Sequence, residues 1–164
     1  MNGINNNNDQ GQRAEEIFGV RITQDYFFRA RDLGAKWPVS DYYVEINDDD
    51  NPFHFVVQIK STAQALNRNN NLPISISQKK VNQLSNYNAP TFLAGVDVTN
   101  ETVYLVPIYK RQGAAISKIS GTFVLSPNDK KTSFKNLKLL ESEVKRFWRN
   151  TNTKKNKRNF KSTL

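Results

Sequence analysis

Three polar residues on two adjacent predicted strands are the best candidates for chemistry in this sequence. Asp41 lies in the segment 40–46, and Gln58 and Lys60 lie in the segment 53–62. Apolar and polar residues alternate in both segments, which predicts two β-strands, and the Asp- and Asn-rich stretch between them predicts a loop. If the strands pair antiparallel, Asp41 lies opposite Gln58 or Lys60. A carboxylate, a carboxamide and an ammonium group together can hold a hard cation and a phosphate group. The same alternation is also typical of a half-buried strand that turns its polar residues to water, so a purely structural interpretation stays open.

The composition of the chain excludes several classes of protein and of functional site. The chain has 164 residues, enough for one domain with a real core, and it has no cysteine, which excludes disulfides and thiolate zinc sites. A single histidine, His54, argues against a histidine metal site or a catalytic triad. No segment has the length of apolar sequence that a membrane span or a secretory signal needs, so we expect a cytoplasmic protein without a membrane partner. The formal net charge of +9 favours a polyanionic partner such as nucleic acid.

The pattern along the chain predicts one α/β domain, in which a mixed β-sheet is flanked by helices. We place this domain at residues 10–150, between a disordered Asn-rich segment at 1–9 and a mobile basic tail at 151–164. In chain order, the predicted elements are a helix from about residue 10 toward 28, the two strands above, a helix over 77–87, strands over 91–98 and 102–109, a short edge strand within 121–125, and a helix over 131–150.

This order of elements, with an Asp on one strand and Q-x-K on the next, resembles the PD-(D/E)XK nuclease superfamily. Asp41 would match the first acid of the motif, Gln58 its variable position and Lys60 its lysine. The resemblance spans roughly residues 11–109. More narrowly, the chain resembles an uncharacterised bacterial branch found among defence-associated genes, through the segments G-x-R-A-E at 11–15, V-E-I at 44–46 and V-Q-I-K-S-T at 57–62. It departs from that branch at Ser40, where a glycine is usual.

The resemblance implies a restriction-endonuclease-like fold and hydrolysis of phosphodiester bonds with Mg²⁺ or Mn²⁺. It implies Asp41, the Gln58 side-chain oxygen and the Ile59 carbonyl as metal ligands, with Glu15 as a further ligand or a residue that supports one. Lys60 would position the attacking water or stabilise charge in the transition state. Because Gln58 supplies no negative charge, a non-catalytic nucleic-acid-binding module or an interaction subunit of a larger defence complex stays open as the alternative.

Basic residues outside the motif are candidates for contacts with nucleic acid, with DNA preferred to RNA. A double-strand cut needs two sites, which suggests a homodimer or a protein partner. Trp148 is expected to be a core or interface residue. The Q-x-x-x-Y pair that some nucleases of this superfamily carry near DNA has a counterpart here, at i and i+4 of one predicted helix. The candidate nucleic-acid contacts are this pair, Gln83 and Tyr87, then Lys79 and Lys80 before it, and Lys154, Lys155, Lys157 and Arg158 in the tail.

Overall fold

The structure, a computed structural model, describes the backbone of residues 3–34, 41–109 and 114–161 and the side chains of residues 9–34, 41–109 and 114–151. The position of Ser40 therefore lies outside the described residues. None of the helices in these ranges has the length and apolar content that crossing a membrane requires. The elements in chain order are α1 (Gly3–Ile22), a 3₁₀ turn (Gln24–Tyr26), β1 (Phe28–Asp32), β2 (Tyr42–Ile46), β3 (His54–Thr62), β4 (Leu72–Ile76), α2 (Gln78–Ser85), β5 (Thr91–Asp97), β6 (Thr102–Pro107), β7 (Ile116–Ile119), β8 (Phe123–Leu125) and α3 (Lys130–Lys161).

Six strands form one mixed sheet in the order β1-β2-β3-β5-β6-β8. β3 and β5 run parallel, and the other neighbouring pairs are antiparallel. The parallel pair requires a crossover, which β4 and α2 provide. β4 also pairs antiparallel with β7 in a separate two-stranded sheet. The predicted class, a single α/β domain with a mixed sheet flanked by helices, is confirmed.

Two hydrophobic cores lie on opposite faces of the main sheet. Residues of α1 and α3 pack on one face in the first core, and residues of α2, β4 and β7 pack on the other face in the second core. Alternate residues of β5 enter each core, as with Phe92 in the first and Leu93 in the second, because side chains alternate between the faces of a strand. All seven residues of β5 are buried, which explains the nearly continuous apolar run in its sequence.

The small sheet packs closely against β5 at Gly95. A Cβ atom at this position would lie 2.6 Å from Cδ1 of Ile119 and 2.9 Å from Cδ2 of Leu72. Glycine therefore allows close packing here, because a larger residue would displace the ends of these two side chains.

The first helix and the first strand differ from the prediction. The helix predicted to run toward residue 28 ends at Ile22, because Asp25 and Tyr26 adopt left-handed backbone angles, with φ of 59° and 60°, and turn the chain. Residues 28–32 then form an edge strand on β2 rather than helix and connection. Backbone pairing with β2 stabilises this short strand, which sequence alternation over only five residues does not reveal.

Both long helices extend into the segments that we placed outside the domain. α1 begins at Gly3, within the segment predicted to be disordered, and α3 continues to Lys161, within the predicted basic tail. Once a helix is anchored by tertiary packing, each added residue gains a backbone hydrogen bond without a new nucleation cost. The tertiary packing of the middle of each helix therefore explains why α1 and α3 extend beyond the predicted domain bounds.

Candidate active site

The open end of the β2–β3 hairpin brings Asp41 and Gln58 into direct contact. Tyr42 lies opposite Val57 in the antiparallel register, so Asp41 falls opposite Gln58. The Gln58 Nε2 donates a hydrogen bond to Asp41 Oδ2 at 2.7 Å. The backbone N–H of Ile59 donates to the same oxygen, also at 2.7 Å. The sequence prediction that these two residues meet across the hairpin is confirmed.

Burial and nearby charges act on the Asp41 carboxylate in opposite directions. Burial raises the pKa of the Asp41 carboxyl, and the neighbouring carboxylate of Asp32 raises it further. The hydrogen bond from Ile59 and the charges of Lys60 and Lys80 lower it, and the net direction is upward. A cation bound beside Asp41 would favour the ionised carboxylate and so lower the pKa that burial raises.

Glu15 and Asp32 are close enough to this site to influence its electrostatics. Glu15 lies on α1, whose backbone carbonyl at this residue accepts a hydrogen bond from the Tyr42 hydroxyl at 3.3 Å. Burial raises the pKa of the Glu15 carboxyl, and the carboxylates of Asp32 and Asp41 add to the effect. Asp32 ends β1 and lies opposite Tyr42 in the sheet. Asp32 was not predicted as a site residue, because β1 was not predicted as a strand. The only signal was the short alternation Phe-Arg-Ala-Arg before it.

The donor set for a metal ion at Asp41 consists of one carboxylate and neutral oxygens. Within the described ranges, no group of three or more His, Cys, Asp or Glu side chains is placed to hold a metal ion. The carboxylates of Glu15 and Asp41 therefore influence each other electrostatically, but they do not form a metal site by themselves. The Gln58 amide would have to turn to present its oxygen, because its nitrogen now faces Asp41 and lies 3.4 Å from the Ile59 carbonyl oxygen. Mg²⁺ accepts such a set, because it needs only one or two carboxylates when water and substrate phosphate complete its shell.

No protein-family model and no curated protein matches this chain.

The start of α2 influences Asp41 through the charge of Lys80, and the helix ends before Tyr87. The Ser77 side chain caps this helix by accepting a hydrogen bond from the Lys80 backbone N–H at 3.3 Å. Lys79 is exposed beside it, and the Lys80 charge acts on Asp41. Gln83 is exposed on the helix, but α2 ends at Ser85.

Tyr87 lies beyond α2, in the turn that leads to β5. The Asn86 backbone N–H closes the helix on the carbonyls of Asn82 and Leu84, so the predicted helical i, i+4 relation between Gln83 and Tyr87 is wrong. Tyr87 is still 38% exposed. The side chains of Lys154, Lys155, Lys157 and Arg158, on the last turns of α3, lie outside those that the structure describes.

Asp97, a buried carboxylate at the end of β5, has a structural role. It is 3% exposed and accepts hydrogen bonds from the backbone N–H groups of Thr99 and Asn100 and from the Asn100 side chain, at 2.8–3.1 Å. These bonds close the turn between β5 and β6. The Val-Asp ending of this strand therefore stabilises the fold and does not add to the site at Asp41.

Proposed function

We propose that the protein is a metal-dependent nuclease that hydrolyses phosphodiester bonds, preferentially of DNA, at the open end of the β2–β3 hairpin. The observation that carries this proposal is the convergence of the Asp41 carboxylate, the Gln58 carboxamide and the Ile59 backbone, with the charges of Lys60 and Lys80 acting on the same carboxylate. This set joins ligands for a hard cation with positive charge for a phosphate group.

The topology supports the superfamily proposal. A helix precedes a three-strand antiparallel meander, and the return through α2 leads to β5, which pairs in parallel with β3. The acid precedes the second strand of the meander, and Q-x-K lies on the third. The defence context, in contrast, is proposed on the resemblance of the sequence alone.

Each residue of the site would have a role that follows from its chemistry. Asp41, Gln58 Oε1 and the Ile59 carbonyl would hold Mg²⁺ or Mn²⁺, which when bound acidifies a water and offsets charge at the phosphate. Lys60 is exposed, so its ammonium group is free to bind a phosphate oxygen and to stabilise negative charge that develops there. Lys80, at the start of α2, would hold a neighbouring phosphate against the positive end of the helix.

Cleavage assays with Mg²⁺ and with Mn²⁺ on single- and double-stranded DNA and RNA test the proposal. Asp41→Asn is the sharpest variant, because the Asn carbonyl oxygen can accept both bonds that Oδ2 now accepts while the charge is lost. We expect Asp41→Asn and Lys60→Gln to abolish cleavage and to retain the wild-type circular dichroism spectrum. Lys118→Gln, an equally exposed lysine on β7, is the matched control and should remain active. Absence of cleavage in the wild type with either metal would refute the proposal.

A catalytically inactive nucleic-acid-binding module is the second candidate. The Gln58 amide favours this function, because its hydrogen bond to the Asp41 carboxylate stabilises the carboxylate without a cation. This function predicts binding of nucleic acid that weakens with salt, no cleavage, and no shift of the melting temperature on addition of Mn²⁺.

A further inference from the structure

At one edge of the main sheet, β1 and β2 carry exposed and partly exposed side chains on the face that points away from the first core. The second core takes residues from β5 and β6 but none from β1, β2 or β3, whereas the first core takes residues from all three of these strands. On the face of these strands that points away from the first core, Val56 and Gln58 of β3 are buried, at 3% and 7% exposure. Arg29 and Arg31 of β1 are exposed on this face, and Tyr43 of β2 is partly exposed. Asp41 precedes β2 on the same face.

An aromatic row runs from β2 through the start of β3 to α3. It consists of Tyr43 on β2, His54 on β3 and Trp148 on α3. The Tyr43 and His54 rings stack with centroids 5.0 Å apart and 23° between their planes. The His54 and Trp148 rings also have centroids 5.0 Å apart, with 40° between their planes. Tyr43 and His54 are half-buried, and Tyr43 packs into neither core.

Trp148 anchors one end of the row. Its indole Nε1 donates a hydrogen bond to the His54 carbonyl oxygen at 2.8 Å, and its ring also packs against the first core. His54 contacts Trp148 as well as Tyr43, so Tyr43, at the other end of the row, is the ring that is left for a ligand. Tyr43 lies two residues after Asp41, on the same face and about 7 Å along the chain.

Positive charge flanks the row. Arg31 is the direct cross-strand neighbour of Tyr43, and among the described residues it forms no ion pair. Arg29 lies on the same face and neutralises Glu45 at 2.8 Å. A partly exposed aromatic ring beside an exposed arginine without an ion pair fits a ligand that has both flat apolar rings and negative charge. Unpaired bases on a phosphate backbone are such a ligand.

We infer that the aromatic row binds the unpaired bases of a single strand of nucleic acid and leads its backbone toward Asp41. The link to cleavage rests on the proposed function, but the binding does not. An aromatic cross-strand pair also stabilises a hairpin without any ligand. The experiment must therefore separate base stacking from folding and from simple attraction to phosphate.

The affinity of the full chain for fluorescein-labelled oligo(dT), measured by anisotropy in EDTA, tests the inference without metal or cleavage. We expect Tyr43→Ala to weaken binding about 5- to 150-fold, the range for loss of one stacked base. Tyr43→Phe keeps the ring and loses only the hydroxyl that donates to Glu45 Oε2 at 2.9 Å, so it should bind like the wild type. Tyr26→Ala is the matched control, because this tyrosine is 85% exposed and lies outside the row.

An abasic oligonucleotide of the same length and charge separates bases from phosphates. We expect Tyr43→Ala to leave its binding unchanged. The inference is overturned if Tyr43→Ala binds oligo(dT) as the wild type does, or if it loses affinity for both oligonucleotides equally. If Tyr43→Ala does not fold by circular dichroism, Tyr43→Leu, which keeps apolar bulk without an aromatic ring, decides between these outcomes.

The proposed nuclease activity and the inferred binding of single strands can be refuted independently. Binding of oligo(dT) through Tyr43 without cleavage in Mg²⁺ or Mn²⁺ would refute the nuclease and keep the inference. Cleavage in a protein whose affinity for single strands is unchanged by Tyr43→Ala would refute the inference and keep the nuclease.

Discussion

Replacing Gln58 with Glu places a second carboxylate directly against Asp41. The Gln58 side chain is 7% exposed, and its Nε2 lies 2.7 Å from Asp41 Oδ2. The substitution therefore converts a hydrogen bond into a contact between two acids. At 2.7 Å and an effective dielectric constant near 20, two full charges would repel each other by about 6 kcal/mol.

Protonation limits this cost at neutral pH. A glutamic acid has an unperturbed pKa of about 4.3, so holding it neutral at pH 7 costs about 4 kcal/mol, which is less than the repulsion. The O–H of the neutral acid then donates a hydrogen bond to the Asp41 carboxylate, in place of the bond from the Gln58 amide. Because the folded protein keeps this proton and the unfolded chain releases it above pH 4.3, the stability of the variant relative to wild type falls as pH rises. We expect a loss of about 1 kcal/mol at pH 5 and about 4 kcal/mol at pH 7, levelling off near pH 9.

Urea denaturation of Gln58→Glu between pH 5 and pH 8, with and without Mn²⁺, measures these values. A divalent cation between the two carboxylates removes the repulsion, so Mn²⁺ should stabilise the variant more than the wild type. Gln83→Glu is the matched control, because Gln83 is exposed on α2 and the same change there should show neither effect. A loss of stability that does not change with pH would refute the contact between positions 41 and 58. A variant that Mn²⁺ does not stabilise would refute the metal site.

Three further changes test other parts of the structure. Asp41→Asn should gain stability relative to wild type as pH rises above about 4 in urea melts, because burial raises the pKa of the Asp41 carboxyl; a constant difference would contradict this. Gly95→Ala should cost roughly 1–3 kcal/mol in thermal melts, because its Cβ would lie 2.6 Å from Cδ1 of Ile119; no loss would show that the small sheet shifts freely. Removing residues 151–164 deletes five basic residues and should flatten the salt dependence of duplex affinity by about 0.9 per lost phosphate contact, at an almost unchanged melting temperature. An unchanged slope would assign this segment to a protein partner.

The elements that carry the central contact were predictable because their signals are local. Strict alternation in β2 and β3, with a polar loop between them, predicts an antiparallel hairpin, and the hairpin register alone places Asp41 near Gln58. The Ser77 cap and the apolar run of β5 are equally local signals. The edge strand β8, at Phe123–Leu125, also falls within the predicted segment.

The rest of the site depends on contacts between distant segments. Asp32 joins the neighbourhood of Asp41 only because β1 pairs with β2, and five residues at a sheet edge give too short a pattern to reveal that pairing. β4 was missed because Pro73 and the polar residues before it favour a loop, whereas its partner β7 supplies the pairing. The approach of Lys80 to Asp41 depends on how α2 packs across the sheet, which helical periodicity does not specify.

The contribution of α3 to the first core affects how the chain folds during translation. Leu137, Leu140 and Val144 complete the core that covers the apolar face of the β2–β3 hairpin, and Trp148 bonds to the first residue of β3. At roughly 5–20 residues per second, a ribosome needs several seconds to proceed from Thr62 to Trp148. During that time α1 is the only one of the described helices that can shield this face of the nascent hairpin. We therefore expect chains that stop before α3 to be degraded or held by chaperones, which would confine any nuclease activity to molecules whose translation has passed this helix.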